Sequence, residues 1–313
     1  MSVVLFVLFS LLFLIIFSGG YVFFYACMRG KDMHWLEESE VKGTPYGKYF
    51  DHICTADQWI KTNRAQDVYI QSEDGLRLHG MWIPAENAKG TIILAHGYRS
   101  TFLVDFGYAF PFYHDLGLNL LVPDQRCHGK SQGKYITFGV KESGDIQKWI
   151  EYHNNKFGQI PLLLSGLSMG ASTVLYLADA DLPANVRGII ADCGFTSPWE
   201  IIGSVFRRVT HLPAEASLWV TEWFAKIIAG FSLREKDTRR SLRQSRVPVL
   251  LIHGTDDRFV PCEMSKQGYA CGIGNKQLLL VDGAGHGVSF LVDRNKYTSA
   301  VLTFLNTNIP ELE

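Results

Sequence analysis

The chain has 313 residues, carries 30 Lys and Arg against 31 Asp and Glu, and is 47% hydrophobic by residue type. That length fits one large or two ordinary domains, and a net charge of −1 gives no support to a nucleic-acid-binding protein. The six cysteines form no Cys-x-x-Cys pair and no Cys/His cluster at zinc spacing, and no Gly-rich phosphate loop or internal repeat is present, so reduced, packed thiols and no metal or organic cofactor are expected.

The first element is apolar. No charged side chain occurs from Ser2 to Met28, and the run 3–26 is long enough to cross a bilayer as a helix, which takes about 20 apolar residues. Ser18, Gly19 and Gly20 interrupt it mildly, and Tyr21 and Tyr25 stand where an interfacial aromatic belt would begin. A cleaved signal peptide is the competing reading. Against it, no Lys or Arg precedes the run, and the run exceeds a usual signal's apolar stretch. A lipoprotein reading through Cys27 meets Phe24 and Tyr25, poor residues for that cleavage. The sequence predicts a single-pass anchor over 1–28. Arg29 and Lys31 favour a cytoplasmic catalytic domain, although Asp32, Glu37 and Glu38 dilute that signal. Residues 29–64 read as a juxtamembrane connector with some helix, including 55–62, and 65–313 as the globular domain.

That domain opens with strand-like runs at 67–71 and 76–83 around Ser72-Glu73-Asp74-Gly75, whose Asp-Gly pair marks a hairpin. Strands then alternate with helices. Strands are predicted at 91–95, 119–122, 161–164, 186–191, 247–252 and 277–281, and helices at 103–116, 140–157, 171–180 and 289–305. Continuous apolar strands between helices argue for a parallel sheet covered on both faces. The stretch 196–246 is too long for an ordinary crossover. It carries Trp199, Phe206, Leu218, Trp219, Trp223 and Phe224 at mostly helical intervals, then a basic run from Arg234 to Arg246. It reads as an inserted helical cap above the strand ends, where such sheets bind ligands.

The chemistry centres on Gly166-Leu167-Ser168-Met169-Gly170, an apolar strand running into a sharp turn and a helix. Such a turn presents a serine hydroxyl above the sheet edge, and Met169 would supply an oxyanion N–H. A serine needs a base, and the base needs an acid to hold its tautomer. Of ten histidines, His96 and His253 read as turn residues, His128 as a loop residue and His79 as a strand residue. His34, His52, His114, His153 and His211 have no supporting context. His286, in Gly283-Ala284-Gly285-His286-Gly287 after the last strand, is the candidate base. Asp257, in His253-Gly254-Thr255-Asp256-Asp257, is the candidate acid, with Asp256 as the alternative. Tyr98, in His96-Gly97-Tyr98-Arg99 after the strand 91–95, is the candidate second oxyanion donor.

These residues, with Asp124-x-Arg126-x-His128-Gly129-x-Ser131-x-Gly133 and Asp192-Cys193-Gly194-Phe195-Thr196-Ser197, resemble the α/β-hydrolase superfamily from about Gln66 to the last helix. The chain looks most like membrane-anchored bacterial serine hydrolases with a helical cap, near the serine aminopeptidase-like (S33-type) group. The resemblance implies an α/β fold of mostly parallel strands with Ser168 as nucleophile, Asp257 as acid and His286 as base, and no catalytic role for Cys127. A serine at the elbow argues against the epoxide-hydrolase and dehalogenase branches. The expected reaction is hydrolysis of a small-molecule acyl ester through an acyl-serine. Alternatives are a peptidase, an amidase, a thioesterase or a noncatalytic membrane-bound scaffold. The anchor and aromatic cap suggest amphipathic acyl substrates near a bilayer. Fold does not by itself fix chemistry.

Overall fold

The computed structural model describes residues 2–30, 37–41, 43 and 47–310. Lys31, Asp32 and His34, which enter the topology and base readings above, lie outside the described residues. Eight strands form one sheet: β1 (Gln66–Gln71), β2 (Arg77–Ile83), β3 (Gly90–Ala95), β4 (Leu118–Pro123), β5 (Leu162–Leu167), β6 (Val186–Asp192), β7 (Val249–Gly254) and β8 (Lys276–Val281). The spatial order is β1-β2-β4-β3-β5-β6-β7-β8. β1 and β2 are joined antiparallel through the hairpin, β2 lies antiparallel to β4, and the remaining pairs are parallel. At the hairpin, Gly75 takes φ +84° and the Ser72 hydroxyl donates to Asp74 at 2.7 Å while accepting from Leu76 N–H at 2.8 Å.

The two-residue period of the strands builds both faces. Ile92, Leu94, Leu120, Val122, Leu163 and Ile252 pack against Phe106, Phe110, Tyr113, Val301 and Phe304 on one side. Ile93, Leu121, Leu164, Ile189 and Leu251 meet Ile146, Trp149, Ile150 and Val174 on the other. Each such buried side chain contributes about 1.5–3 kcal/mol relative to exposure, so the sheet is a rigid platform for whatever its strand ends carry. β3 lies between β4 and β5, making the gap beyond the ends of β3 and β5 the switch point where open α/β sheets bind ligands.

The predicted helices over 103–116 and 289–305 are interrupted. The first is split into Phe102–Phe106, a 3-10 turn Gly107–Ala109, and Phe110–Asp115. Pro111 lacks an N–H, so it begins a helix rather than continuing one. The second breaks at Asp293, whose carboxylate accepts from Lys296 N–H at 2.9 Å and caps the helix Arg294–Asn308. The helix before β1 is longer than expected, at Phe50–Thr62. It packs Ile53 against Val104 and Trp59 against Phe110, with ring centroids 5.9 Å apart, so it belongs to the packed body.

Between β6 and β7 the chain forms helices Pro198–Thr210, Glu215–Phe224 and Thr238–Arg243, with a π-helical turn Ala225–Ala229 that ends at Gly230 in the left-handed region. Ile201, Leu218, Phe231 and Leu233 from this insertion share a core with Phe138, Met169, Phe195 and Val260. It therefore closes over the carboxyl ends of the strands. The N-terminal helix Ser2–Cys27 reaches the same core only through its last third, where Phe23 and Cys27 are fully buried. Its residues 3–17 have no buried side chain, and an 18-residue window of Val3–Cys27 reaches a mean hydropathy of 2.7, so the helix is long and apolar enough to cross a membrane.

Candidate active site

The serine turn follows from two glycines and one strained residue. Ser168 sits at φ +55°, ψ −115°, in a region that costs a non-glycine residue of order 1–3 kcal/mol. The surroundings hold it there: Ser168 N–H donates to Asp192 C=O at 2.8 Å at the end of the neighbouring strand. A Cβ on Gly166 would stand 2.2 Å from Gly170 C=O, and one on Gly170 only 1.8 Å from Ala95 C=O. The tightness is what lets β3, the turn and the following helix Met169–Leu175 meet.

Ser168 is 4% exposed and does not stand alone. Its Oγ lies 2.9 Å from His286 Nε2, and His286 Nδ1 lies 2.6 Å from Asp257 Oδ2. Of the sequence candidates, the structure thus brings together Ser168, His286 and Asp257. Asp256 is directed elsewhere: its side chain accepts from the Thr255 hydroxyl at 3.3 Å in the exposed turn. Asp257 Oδ1 accepts the N–H groups of Phe259 and Val260 at 2.8 and 2.9 Å. Burial alone would push the Asp257 carboxyl up, but hydrogen bonds from His253 and His286 outweigh it and hold it well below the usual carboxylate range. Asp257 is accordingly an anion suited to orient an imidazole and stabilise an imidazolium.

His253 has a different place from the turn position read in the sequence. It is fully buried, with Nδ1 2.6 Å from the Ser265 hydroxyl and Nε2 3.0 Å from Val260 C=O and 3.2 Å from Asp257 Oδ2. It braces the acid from behind. The signal available was its position four residues before Asp257 in the same strand-end motif, but only the folded loop turns the ring inward.

The loop after β3 passes directly under the serine, since a Cβ on Gly97 would be 3.3 Å from Ser168 Cβ. Asp105 holds that loop: Gly97 N–H donates to Asp105 Oδ2 at 2.6 Å and the Ser100 hydroxyl to Oδ1 at 2.7 Å. Burial pushes the Asp105 carboxyl up to about 6 despite these two donors. Arg99 N–H donates to His128 Nε2 at 2.9 Å, and the Tyr98 phenol to Ala26 C=O at 2.9 Å. Tyr98, between these fixed points, carries the backbone N–H that is the candidate second oxyanion donor. Met169 N–H opens its helix and has no acceptor within it. Asp105 escaped the sequence reading because it belongs to none of the motifs, and His128, read as a loop residue, gave no sign of its bond to Arg99 N–H. His96 is fully buried, and burial pulls its imidazole well down, to about 3, as befits a neutral ring accepting from Gln125 N–H at 3.0 Å.

Among the described residues, Cys193, Asp257 and His286 have donor atoms within 4.8 Å of one another. Asp257 and His286 are already bonded to each other, and burial pushes the Cys193 thiol well above its ordinary value. A neutral thiol is a poor metal ligand, so the donor set suits proton transfer better than ion binding.

Comparison with known proteins agrees with this geometry in kind. The chain is 31% identical over 238 residues to the uncharacterised protein YqkD of Bacillus subtilis, covering 76% of this chain and 78% of that one. It is 26% identical over 266 residues to YfhR of Escherichia coli K12, covering 82% and 86%. Among solved structures, it resembles the Pyrococcus furiosus esterase Pf2001, with TM-score 0.64, 25% identity and coverage of 79% and 94%. The fold is also shared with an esterase of Exiguobacterium antarcticum, with TM-score 0.58, 20% identity and coverage of 77% and 100%. Residues 92–300, from β3 to the final helix, match the family model described as the alpha/beta hydrolase family. The chain belongs to the alpha/beta hydrolase family.

Proposed function

We propose that the protein is a membrane-tethered serine esterase acting on small-molecule carboxylic esters. The observation that carries this is the continuous hydrogen-bonded line from Ser168 Oγ through His286 to Asp257, at 2.9 and 2.6 Å. His286 Nε2 takes the Ser168 proton as Oγ attacks the ester carbonyl, and Asp257 stabilises the imidazolium that forms. Met169 and Tyr98 N–H groups receive the oxyanion. His286 then gives its proton to the leaving alkoxide, and an alcohol departs from acyl-Ser168. In the second half, His286 deprotonates water, the hydroxide attacks the acyl carbon, and Ser168 is released with a carboxylic acid as the other product. The similarity to the Pyrococcus furiosus esterase supports the ester over other acyl groups.

The tether reading rests on packing. Removing the N-terminal helix would strip Phe23 and Cys27, both fully buried, from the core beneath the cap and leave Tyr98 without its acceptor. A cleaved signal has no need of such a seat. The direct test is Ser168→Ala on short p-nitrophenyl esters, with labelling by a fluorophosphonate probe as the second readout. Turnover should fall by at least about 10³-fold and labelling should vanish. Unchanged turnover would sink the mechanism.

A further inference from the structure

The last third of the N-terminal helix is seated against the cap helix Glu215–Phe224. Ser18 and Ser217 hydroxyls are 3.0 Å apart, the Thr221 hydroxyl donates to Gly19 C=O at 3.0 Å, and Phe23 stacks on Phe224 at 5.9 Å. The fit at Gly19 is close, since a Cβ there would stand 2.4 Å from Val220 Cβ. The contacts run 18 to 217 and then 23 to 224, so the two helices run in the same direction. Residues 2–17 project beyond the body of the protein.

Helix length then fixes depth. Residues 2–17 are about 24 Å long at 1.5 Å per residue, whereas the hydrocarbon core of a bilayer is about 30 Å thick. Seating the uncharged run 2–21, about 30 Å long, in that core brings in Ser18 and Gly19, which are docked on Ser217, Val220 and Thr221. The cap surface beside them must therefore enter the membrane with them.

That surface is largely apolar around one exposed ion pair, Arg207–Glu215 at 3.1 Å. Val209, Leu212, Trp219, Trp223 and Ile227 are between 56% and 71% exposed. Trp219, Trp223 and Ile227 recur every four residues and form a stripe beside the face that grips the N-terminal helix. Tyr21 and Tyr25, stacked at 5.8 Å, are exposed on that helix at the same level. Arg234 stacks its guanidinium over the Trp219 ring at 3.9 Å and the Trp199 ring at 3.6 Å, so its charge is met by aromatic faces.

We propose that the cap corner is a second membrane-embedded element: a phospholipid bilayer covers Val209, Leu212 and Trp219, with Trp223 and Ile227 in its headgroup layer. This rests on the tether reading above. It also places the site mouth at the membrane. Arg208, next to the immersed corner, donates to the carbonyls of Arg258 and Phe259, and the Phe259 ring is 5.0 Å from His286. An amphipathic acyl ester leaving the bilayer at this corner meets Phe259 and then the imidazole, without first crossing open water.

The test uses the full chain in phosphatidylcholine vesicles containing acyl-brominated phosphatidylcholine, which quenches tryptophan at bilayer depth. Flotation with the vesicles is measured on the same samples. Trp219→Phe should remove at least half of the bromine-quenchable emission, and Trp223→Phe distinctly less. Gly19→Leu keeps the span apolar but cannot seat on Val220, so it should still float while Trp219 quenching falls at least twofold. If the protein floats and Trp219→Phe leaves the quenchable emission unchanged, the immersed corner is wrong while the tether stands. Unchanged quenching in Gly19→Leu would equally overturn it. Failure of the native protein to float would overturn the tether, and the immersed corner with it.

Discussion

Gly170→Ala tests whether the serine turn works through its tight seat on β3. The added Cβ would lie 1.8 Å from Ala95 C=O, where real Cβ atoms essentially never come within 3.0 Å. The helix Met169–Leu175 and β3 must therefore move apart by the difference, about 1.2 Å. Neither side can yield cheaply, because Ala95 pairs with Gly166 in the sheet and Ser168 is tied to Asp192 C=O. Overpacking of this kind costs about 1–3 kcal/mol, so the domain should unfold several degrees lower. Displacement of a reacting group by about 1 Å costs on the order of 10²-fold in rate. The expected result is a folded protein whose kcat on p-nitrophenyl butyrate, and whose fluorophosphonate labelling rate, fall by about 10²-fold while KM changes little. Gly144→Ala is the control: nothing lies within 4 Å of its Cβ position, and alanine in a helix interior gains up to about 1 kcal/mol. If Gly170→Ala turns over within threefold of the native rate with native circular dichroism, the argument that the turn's tightness positions Ser168 is refuted.

His253→Leu removes a donor 3.2 Å from Asp257 Oδ2. Loss of one hydrogen bond to a charged group costs about 1.5–3 kcal/mol, so kcat should fall about 10–100-fold with KM nearly unchanged, and His253→Gln should recover part of it. Equal loss in both variants would mark a merely structural role. Arg126→Met leaves Asp145 buried without the two bonds it now accepts at 2.6 and 2.7 Å. The loss should be about 3–5 kcal/mol in denaturant unfolding, and a loss under 1 kcal/mol would contradict the pairing. Asp105, raised by burial to about 6, keeps its proton in the fold between roughly pH 4 and 6, where the unfolded chain has released it. Its contribution to stability therefore falls as pH rises through that window. Asp105→Asn should gain stability relative to the native protein from pH 4 to pH 6, measured as the difference in Tm, and a flat difference would contradict the sign.

The local grammar of this chain is unusually plain around Ser168. Leu162 to Leu164 is a short apolar run that stops at a glycine-flanked serine and so reads as a buried strand, and Gly166 and Gly170 stand where side chains would collide. Strand-end loops at 253–257 and 283–287 could be paired with that serine because parallel sheets deliver all their carboxyl ends to one edge. The apolar helix at the N-terminus was equally legible, since hydropathy and length need no tertiary knowledge.

Other features depend on contacts distant in the chain. His253 looks like a turn residue until the loop 254–260 folds back and sets its imidazole beside Asp257. Asp105 is one acid among many until its helix is packed beneath Gly97. The division of 103–116 into short helices reflects Pro111 locally but also the crossing of the helix Phe50–Thr62 on Gly107. Most of all, sequence reads residues 1–28 as a separate anchor, whereas Gly19 and Phe23 pack on the helix Glu215–Phe224, Cys27 is buried in the shared core and Ala26 receives the phenol of Tyr98. Sequence by itself determined the strands, the serine turn and the apolar N-terminal helix, because each is written in residues adjacent or regularly spaced along the chain. Only the tertiary structure decided which groups brace Asp257 and Gly97 and how the N-terminal helix meets the helix Glu215–Phe224, because those contacts join residues up to about two hundred positions apart that no local pattern couples.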